Sequence, residues 1–194
     1  LMQRNFVLGY GRNPFGNYQN SGFSIGAMNK GIIKNNMIIT SGNGGNGISI
    51  IGSDDIDVNN NIIVYKTGIG LYADEQDTKY PQISGNGLRV DNNTFIGLTG
   101  GTFEAIQLRT QLVTNKIRNN VLVNASGKYI VNFGNVVPAN QIADSNNRKQ
   151  TTTSGLFFVN QSANNFRIGS TSPLLSSGRI VSTVSLDYDG NTRP

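Results

Sequence analysis

The sequence contains no cysteine and no histidine in its 194 residues. Without cysteine there is no disulfide and no thiolate site, which leaves the redox compartment open. Without histidine the chain has no imidazole base, no histidine-metal site and no Ser-His-Asp triad of its own. Charge is sparse too: charged residues make up 14% and the net charge is +5. The lysines and arginines stand singly, so no basic run of the nucleic-acid-binding type occurs. No apolar run is long enough to span a membrane, and no secretory leader is visible at Leu1. Neither nucleic acid nor membrane is therefore expected as a partner. The positive sign suits an anionic polysaccharide.

What the chain has instead is glycine, 24 residues, and asparagine, 28 residues. Hydrophobic residues still reach 37%, and the high net charge of a disordered chain is missing. The asparagines recur in one phrase. Ile56-Asp57-Val58-Asn59-Asn60-Asn61-Ile62-Ile63-Val64 reads as a short strand, an asparagine turn and a second short strand. Equivalent phrases run from Gly31 to Ile39, from Leu88 to Ile96 and from Lys116 to Val123. The second asparagine of each pair is Asn36, Asn61, Asn93 or Asn120, giving gaps of 61−36=25, 93−61=32 and 120−93=27 residues. A period of that size, carried by short apolar runs, is the signature of a solenoid. Asparagine at equivalent turns tolerates the left-handed conformation and can bond to the coil above and below, as a ladder.

A second repeat unit is Gly22-Phe23-Ser24-Ile25, followed by Gly47-Ile48-Ser49-Ile50, Gly68-Ile69-Gly70-Leu71-Tyr72, Ala105-Ile106-Gln107-Leu108-Arg109 and Tyr129-Ile130-Val131-Asn132-Phe133. Alternation along a strand predicts Phe23, Ile25, Ile48, Ile50, Ile69, Leu71, Ile106 and Leu108 inside. Ser24, Ser49, Gly70, Tyr72, Gln107 and Arg109 are then expected outside. The fold class expected is all-β, a right-handed parallel β-helix with three parallel sheets and about six to seven coils. Residues 1–194 form one domain, with 136–194 as irregular last coils and a closing segment. Leu1 to Gly9 already reads as the middle of a coil, so the chain is expected to be the C-terminal part of a longer solenoid. A preceding β-helix segment of the same protein would be its partner.

The period breaks at Ala73 to Gln82 and again at Gly97 to Phe103. Insertions in a solenoid map to loops on one face, often the binding face. The first carries Asp74, Glu75 and Asp77, together with Lys79 and Tyr80. Three carboxylates within four residues offer oxygen ligands for Ca²⁺, although the spacing is not that of an EF-hand loop. An ordinary polar loop accounts for them as well. Asp54, Asp55 and Asp57 form a second acidic group, with Asp54 and Asp55 in a turn and Asp57 outward. Lys116 and Arg118 lie on a different sheet from Arg109, as a basic flank for substrate or as solvated charges. Tyr10, Phe15, Tyr18, Tyr72 and Tyr80 lie in or beside loops and offer faces for sugar rings or for packing.

After Asn135 the period blurs, and a more specific pattern begins. Phe157-Phe158-Val159, Asn165-Phe166-Arg167-Ile168, Ser172-Pro173-Leu174-Leu175 through Gly178, and Asp189-Gly190-Asn191-Thr192-Arg193-Pro194 follow in order. This run resembles the tail of secreted bacterial right-handed parallel β-helix proteins, including the alginate lyase and chondroitinase B family. A serine stands where the family has Asp before the glycine, and the family's closing run is missing after Pro194. The resemblance covers about the last forty residues at motif level, and this tail accompanies many chemistries. It implies a secreted, periplasmic or cell-surface bacterial protein acting on an acidic polysaccharide such as alginate or a glycosaminoglycan. The implied reaction is β-elimination, which needs a base for the proton beside the uronate carboxyl and a cation for the carboxylate. On this chain Arg109, Tyr72 and Gln107 are the catalytic candidates. Tyr80, Lys79, Lys116 and Arg118 would contact substrate, and Asp74, Glu75 and Asp77 would hold Ca²⁺. The alternative for Arg109 is a strand-face arginine paired with Glu104 or Asp74. The alternative for the whole chain is a non-catalytic carbohydrate-binding, adhesin or phage-fibre solenoid.

Overall fold

A computed structural model describes residues 1–3, 5–10, 21–40, 45–74, 87–98, 104–109, 115–132 and 142–193. Three parallel sheets run the length of the molecule. Sheet A stacks Met2–Gln3, Asn29–Lys34, Asp54–Asn59, Arg89–Asp91, Asn115–Arg118 and Ile142–Ser145. Sheet B stacks Phe6–Tyr10, Met37–Thr40, Ile62–Tyr65, Thr94–Gly97, Val121–Asn124 and Arg148–Gln150. Sheet C stacks Ser21–Gly26, Asn46–Ile51, Leu71–Asp74, Ile106–Arg109 and Ile130–Asn132. The chain visits A, B and C in turn, which is the parallel β-solenoid expected of the repeat. The sheets hold six, six and five strands, so five turns carry all three sides and a sixth carries two. That is fewer than the expected six to seven coils. After Gln150 the described chain leaves the spiral and forms an antiparallel hairpin, Phe158–Asn160 with Asn165–Ile168, around a 3₁₀ turn.

The spiral is held at the corner between sheets A and B. Asn35, Asn60, Asn92, Asn119 and Asn146 take left-handed backbones with φ between 54° and 57°. Each turns the chain so that the next residue points inward. Those next residues form a ladder. Asn61 Oδ1 accepts from Asn36 N–H at 3.0 Å and from Asn36 Nδ2 at 2.9 Å. Asn93 Oδ1 does the same for Asn61, Asn120 for Asn93, and Asn147 for Asn120. The expected rungs Asn36, Asn61, Asn93 and Asn120 are joined by Asn5 at one end and Asn147 at the other. The four expected rungs are at most 1% exposed.

Inside the spiral, aliphatic columns follow the register. Phe23, Ile48, Leu71, Ile106 and Ile130 stack on one level of sheet C, and Ile25, Ile50, Ala73 and Leu108 on the next. Sheet B adds Ile38, Ile63, Tyr65, Phe95 and Leu122 to the same core. Two outward assignments need correction. Leu71, not Ile69, pairs with Ile48, so Gly70 falls at a corner rather than on the strand face. A Cβ there would lie 2.5 Å from the Ala105 carbonyl oxygen and 2.8 Å from Phe95 Cδ1. Ser49 keeps its register opposite Tyr72 but is only 4% exposed, bonded to Asn46 Nδ2 and to the Ser21 hydroxyl.

Sheet B is apolar on both sides. Its outer residues Ile62, Val64, Ile96, Val121 and Val123 are covered by Leu156, Phe158, Phe166 and Leu174 of the C-terminal segment. Phe158 and Phe166 meet edge to face at 5.7 Å. The cover contributes about 1.5–3 kcal/mol per buried large side chain and withdraws this face from solvent.

Removing one rung tests the ladder. Asn93→Ala deletes two acceptor contacts and leaves the Val58 carbonyl, 2.8 Å from Asn93 Nδ2, without that donor. A loss of about 3 kcal/mol in urea unfolding is expected. Asn35→Gly, which keeps the left-handed turn, should stay within about 1 kcal/mol of wild type.

Candidate functional site

The three outer faces differ in what they leave available. Sheet B is covered. Sheet A carries charges, but they are largely paired across neighbouring strands. Arg89 donates through Nε to Asp57 and through Nη1 to Asp55 at 3.2 Å. Arg118 grips Asp91 with two bonds of 2.8 and 2.7 Å. Asp91 is 1% exposed, so this pair leaves a buried carboxylate fully matched. The acidic group Asp54, Asp55 and Asp57 lies within one strand rather than in a turn before it, and Arg89, one coil on, is the partner of Asp55 and Asp57. Lys116 is exposed on sheet A beside Arg89 in register. Lys116 and Arg118 thus stand on a different face from Arg109.

Sheet C presents an exposed arginine tied to a tyrosine and a carboxylate. Its register sets Gln107 opposite Tyr72, and Arg109 opposite Asp74. The Tyr72 hydroxyl donates to Asp74 Oδ2 at 2.5 Å, and Arg109 Nη1 donates to that hydroxyl at 3.3 Å. Arg109 Nη1 lies 3.9 Å from Asp74 Oδ2, and the arginine side chain is 49% exposed. The expected alternatives for Arg109 therefore resolve to Asp74, while Glu104 has other partners. Glu104 is buried, accepts from Gln107 Nε2 at 3.3 Å, and has Lys128 Nζ at 3.8 Å. Two linked sets thus adjoin on one face, Arg109–Tyr72–Asp74 and Gln107–Glu104–Lys128. Sequence reading singled out Tyr72, Gln107 and Arg109 but missed Lys128. The signal was its place two residues before the strand that pairs with Ile106–Arg109.

Electrostatics favour fully protonated donors here. Burial raises the Tyr72 pKa, the bond to Asp74 raises it further, and Arg109 acts against both. The bond to Tyr72 holds the Arg109 guanidinium more firmly protonated, with Asp74 adding to it. An arginine in that setting is a poor base and a good anchor for an anion.

Of the other expected site residues, Asp74 belongs to the described face. Glu75, Asp77, Lys79 and Tyr80 lie outside the described residues, as do Phe15 and Tyr18. The chain matches no known protein family, no curated protein and no solved structure. None of these comparisons supports a relationship to the alginate lyase and chondroitinase B family.

The linkage on sheet C predicts opposite titration shifts. Arg109→Ala should move the Tyr72 phenolate transition to higher pH, because it removes the cation that favours the ionised form. Asp74→Asn should move it lower, because it removes the carboxylate that favours the neutral form. Difference ultraviolet titration of each variant against wild type reads both. Arg109→Ala should cost no more than about 1 kcal/mol of stability, since the arginine side chain is half exposed.

Proposed function

We propose that this solenoid is a carbohydrate-active protein that holds an acidic polysaccharide across the outer face of sheet C. The observation that carries the reading is the Arg109 guanidinium, exposed yet fixed in direction by the Tyr72 hydroxyl and Asp74. A held guanidinium meets a carboxylate with two parallel bonds and loses little freedom in doing so. Tyr72 offers an aromatic face beside it, and Gln107 a polar group one coil position away. The tail motifs and the net charge of +5 support the same substrate class. A secreted, periplasmic or cell-surface setting goes with such a polymer. Tyr80 and Lys79, next along the chain, and Lys116 and Arg118 on sheet A would extend the contact with a long chain.

A second reading, polysaccharide lyase, is favoured by the 2.5 Å bond from Tyr72 to Asp74. With Arg109 on the uronate carboxylate, the Tyr72 oxygen would take the adjacent proton while Tyr72 passes its own to Asp74. The electron pair left behind forms the new double bond and expels the glycosidic oxygen, which takes the proton from Asp74 through water, so that Tyr72 and Asp74 end as they began. In this scheme Arg109 is the anchor and not the base. Ca²⁺ on Asp74, Glu75 and Asp77 would be a second cation beside Arg109 for the same uronate carboxylate.

Titration with alginate and polygalacturonate separates the readings. Wild type should bind, more weakly as salt is raised. Arg109→Ala should weaken binding about fivefold, as loss of roughly 1 kcal/mol at an exposed charge predicts. An unchanged affinity in that variant would remove sheet C from the account. Appearance of the ultraviolet absorbance of an unsaturated product, abolished in Tyr72→Phe, selects the lyase. Binding without it selects the non-catalytic solenoid.

A further inference from the structure

The C-terminal segment does more than cover sheet B. Residues 177–193 run back along the corner between sheets A and B, against the left-handed asparagines that precede the ladder. Asn146 Nδ2 donates to the Ser177 carbonyl at 3.3 Å, and Asn119 Nδ2 donates to the Arg179 carbonyl at 2.6 Å. Asn60 Nδ2 donates to the Leu186 carbonyl at 2.7 Å. The tail answers in kind: Arg179 N–H donates to Asn119 Oδ1 at 3.0 Å and Arg193 Nη2 to Asn60 Oδ1 at 2.8 Å. Asn92, stacked between Asn60 and Asn119, breaks this series, because its Nδ2 is buried and has no acceptor. Above it the tail stands off from the corner and encloses a cleft of about 330 Å³.

The chemistry of that cleft is one-sided. Arg179 and Arg193 line it, and among the described residues no carboxylate side chain does. Arg193 spends its described bonds on neutral acceptors, the Leu186 carbonyl at 3.2 Å and Asn60 Oδ1. Burial pushes its pKa down, with the charge of Asp187 acting against that. Val181 and Val184, both buried, line it as well, with Asn92 and the Thr192 hydroxyl. Two cations, apolar side chains and neutral polar groups around one small volume match a sugar acid. Its carboxylate suits guanidinium groups, and its C–H face suits the valines.

We infer that this cleft binds a single uronate residue, with the carboxylate on Arg193 and Arg179 and the ring against Val181 and Val184. The site lies at the asparagine corner, away from the outer face of sheet C, and stands whether or not the polysaccharide reading of that face holds.

Glucuronate titrated into the whole chain, followed by NMR at the Asn92 side-chain amide, is the test. Saturable shifts are expected with glucuronate and none with glucose at equal concentration. Asn92→Asp, which keeps a residue suited to the left-handed turn, should weaken binding at least tenfold by setting a carboxylate under the ligand. Arg193→Gln should do the same. Arg193 also braces the tail, so Arg179→Gln serves as the structurally mild variant: its side chain is exposed and the backbone bonds to Asn119 remain. It should weaken binding several-fold with unchanged thermal unfolding. Absence of shifts with glucuronate would overturn the inference, as would equal binding of glucose. Sulfate binding as tight as glucuronate would overturn the sugar assignment. Unaltered affinity in a folded Arg179→Gln would overturn the placement.

Discussion

A buried asparagine amide must find partners for two donors and an acceptor, and in this protein it finds most of them in copies of itself. Asn93 Nδ2 reaches the Val58 carbonyl, the Asp91 carbonyl and Asn120 Oδ1, while its own Oδ1 receives both N–H groups offered by Asn61. The match is possible only if each turn of the chain returns an asparagine to the same corner, one strand spacing from the last. That requirement fixes the left-handed residue before each rung and the direction of the strands on either side. It also sets the inward columns of sheet C. It does not fix the length of the excursion between rungs. Turns of 25, 32 and 27 residues close on the same ladder, so insertions are tolerated where the chain is farthest from the asparagine corner.

That freedom explains how the outer surface is divided. On sheet B the outward positions are apolar, and the C-terminal segment is committed to covering them. On sheet A opposite charges on adjacent coils neutralise one another, most completely at Arg118 and Asp91. On sheet C the Arg109 guanidinium is held in place and open to solvent, next to the chain position where the longest turn departs. The same tail that covers sheet B then meets the asparagine corner and leaves a cleft beside Asn92 lined by two arginines.

Much of this was legible in the sequence because it depends on period. The recurrence of Asn36, Asn61, Asn93 and Asn120 is visible as spacing, and the alternation of Ile106-Gln107-Leu108-Arg109 states which side chains point out. The register of Gly70 was not legible. Ile69 and Leu71 both fit the inward pattern, and only the crowding of Gly70 against Ala105 and Phe95 decides between them. Partners distant in sequence were also hidden. Nothing local to Asp55 or Asp57 announces Arg89, and nothing local to Asn60 or Asn119 announces the tail that binds them. Nor does anything local to Phe158 or Phe166, in the segment expected to hold irregular last coils and a closing run, announce that they cover the outside of sheet B.

The outer face of sheet C is the surface on which a polymer is held. Backbone amide shifts recorded during titration with an oligouronate test that most directly. Changes at Tyr72, Gln107 and Arg109, beyond those at the Asn92 cleft, are the result predicted. Changes absent from sheet C, or confined to the charged face of sheet A, would contradict it.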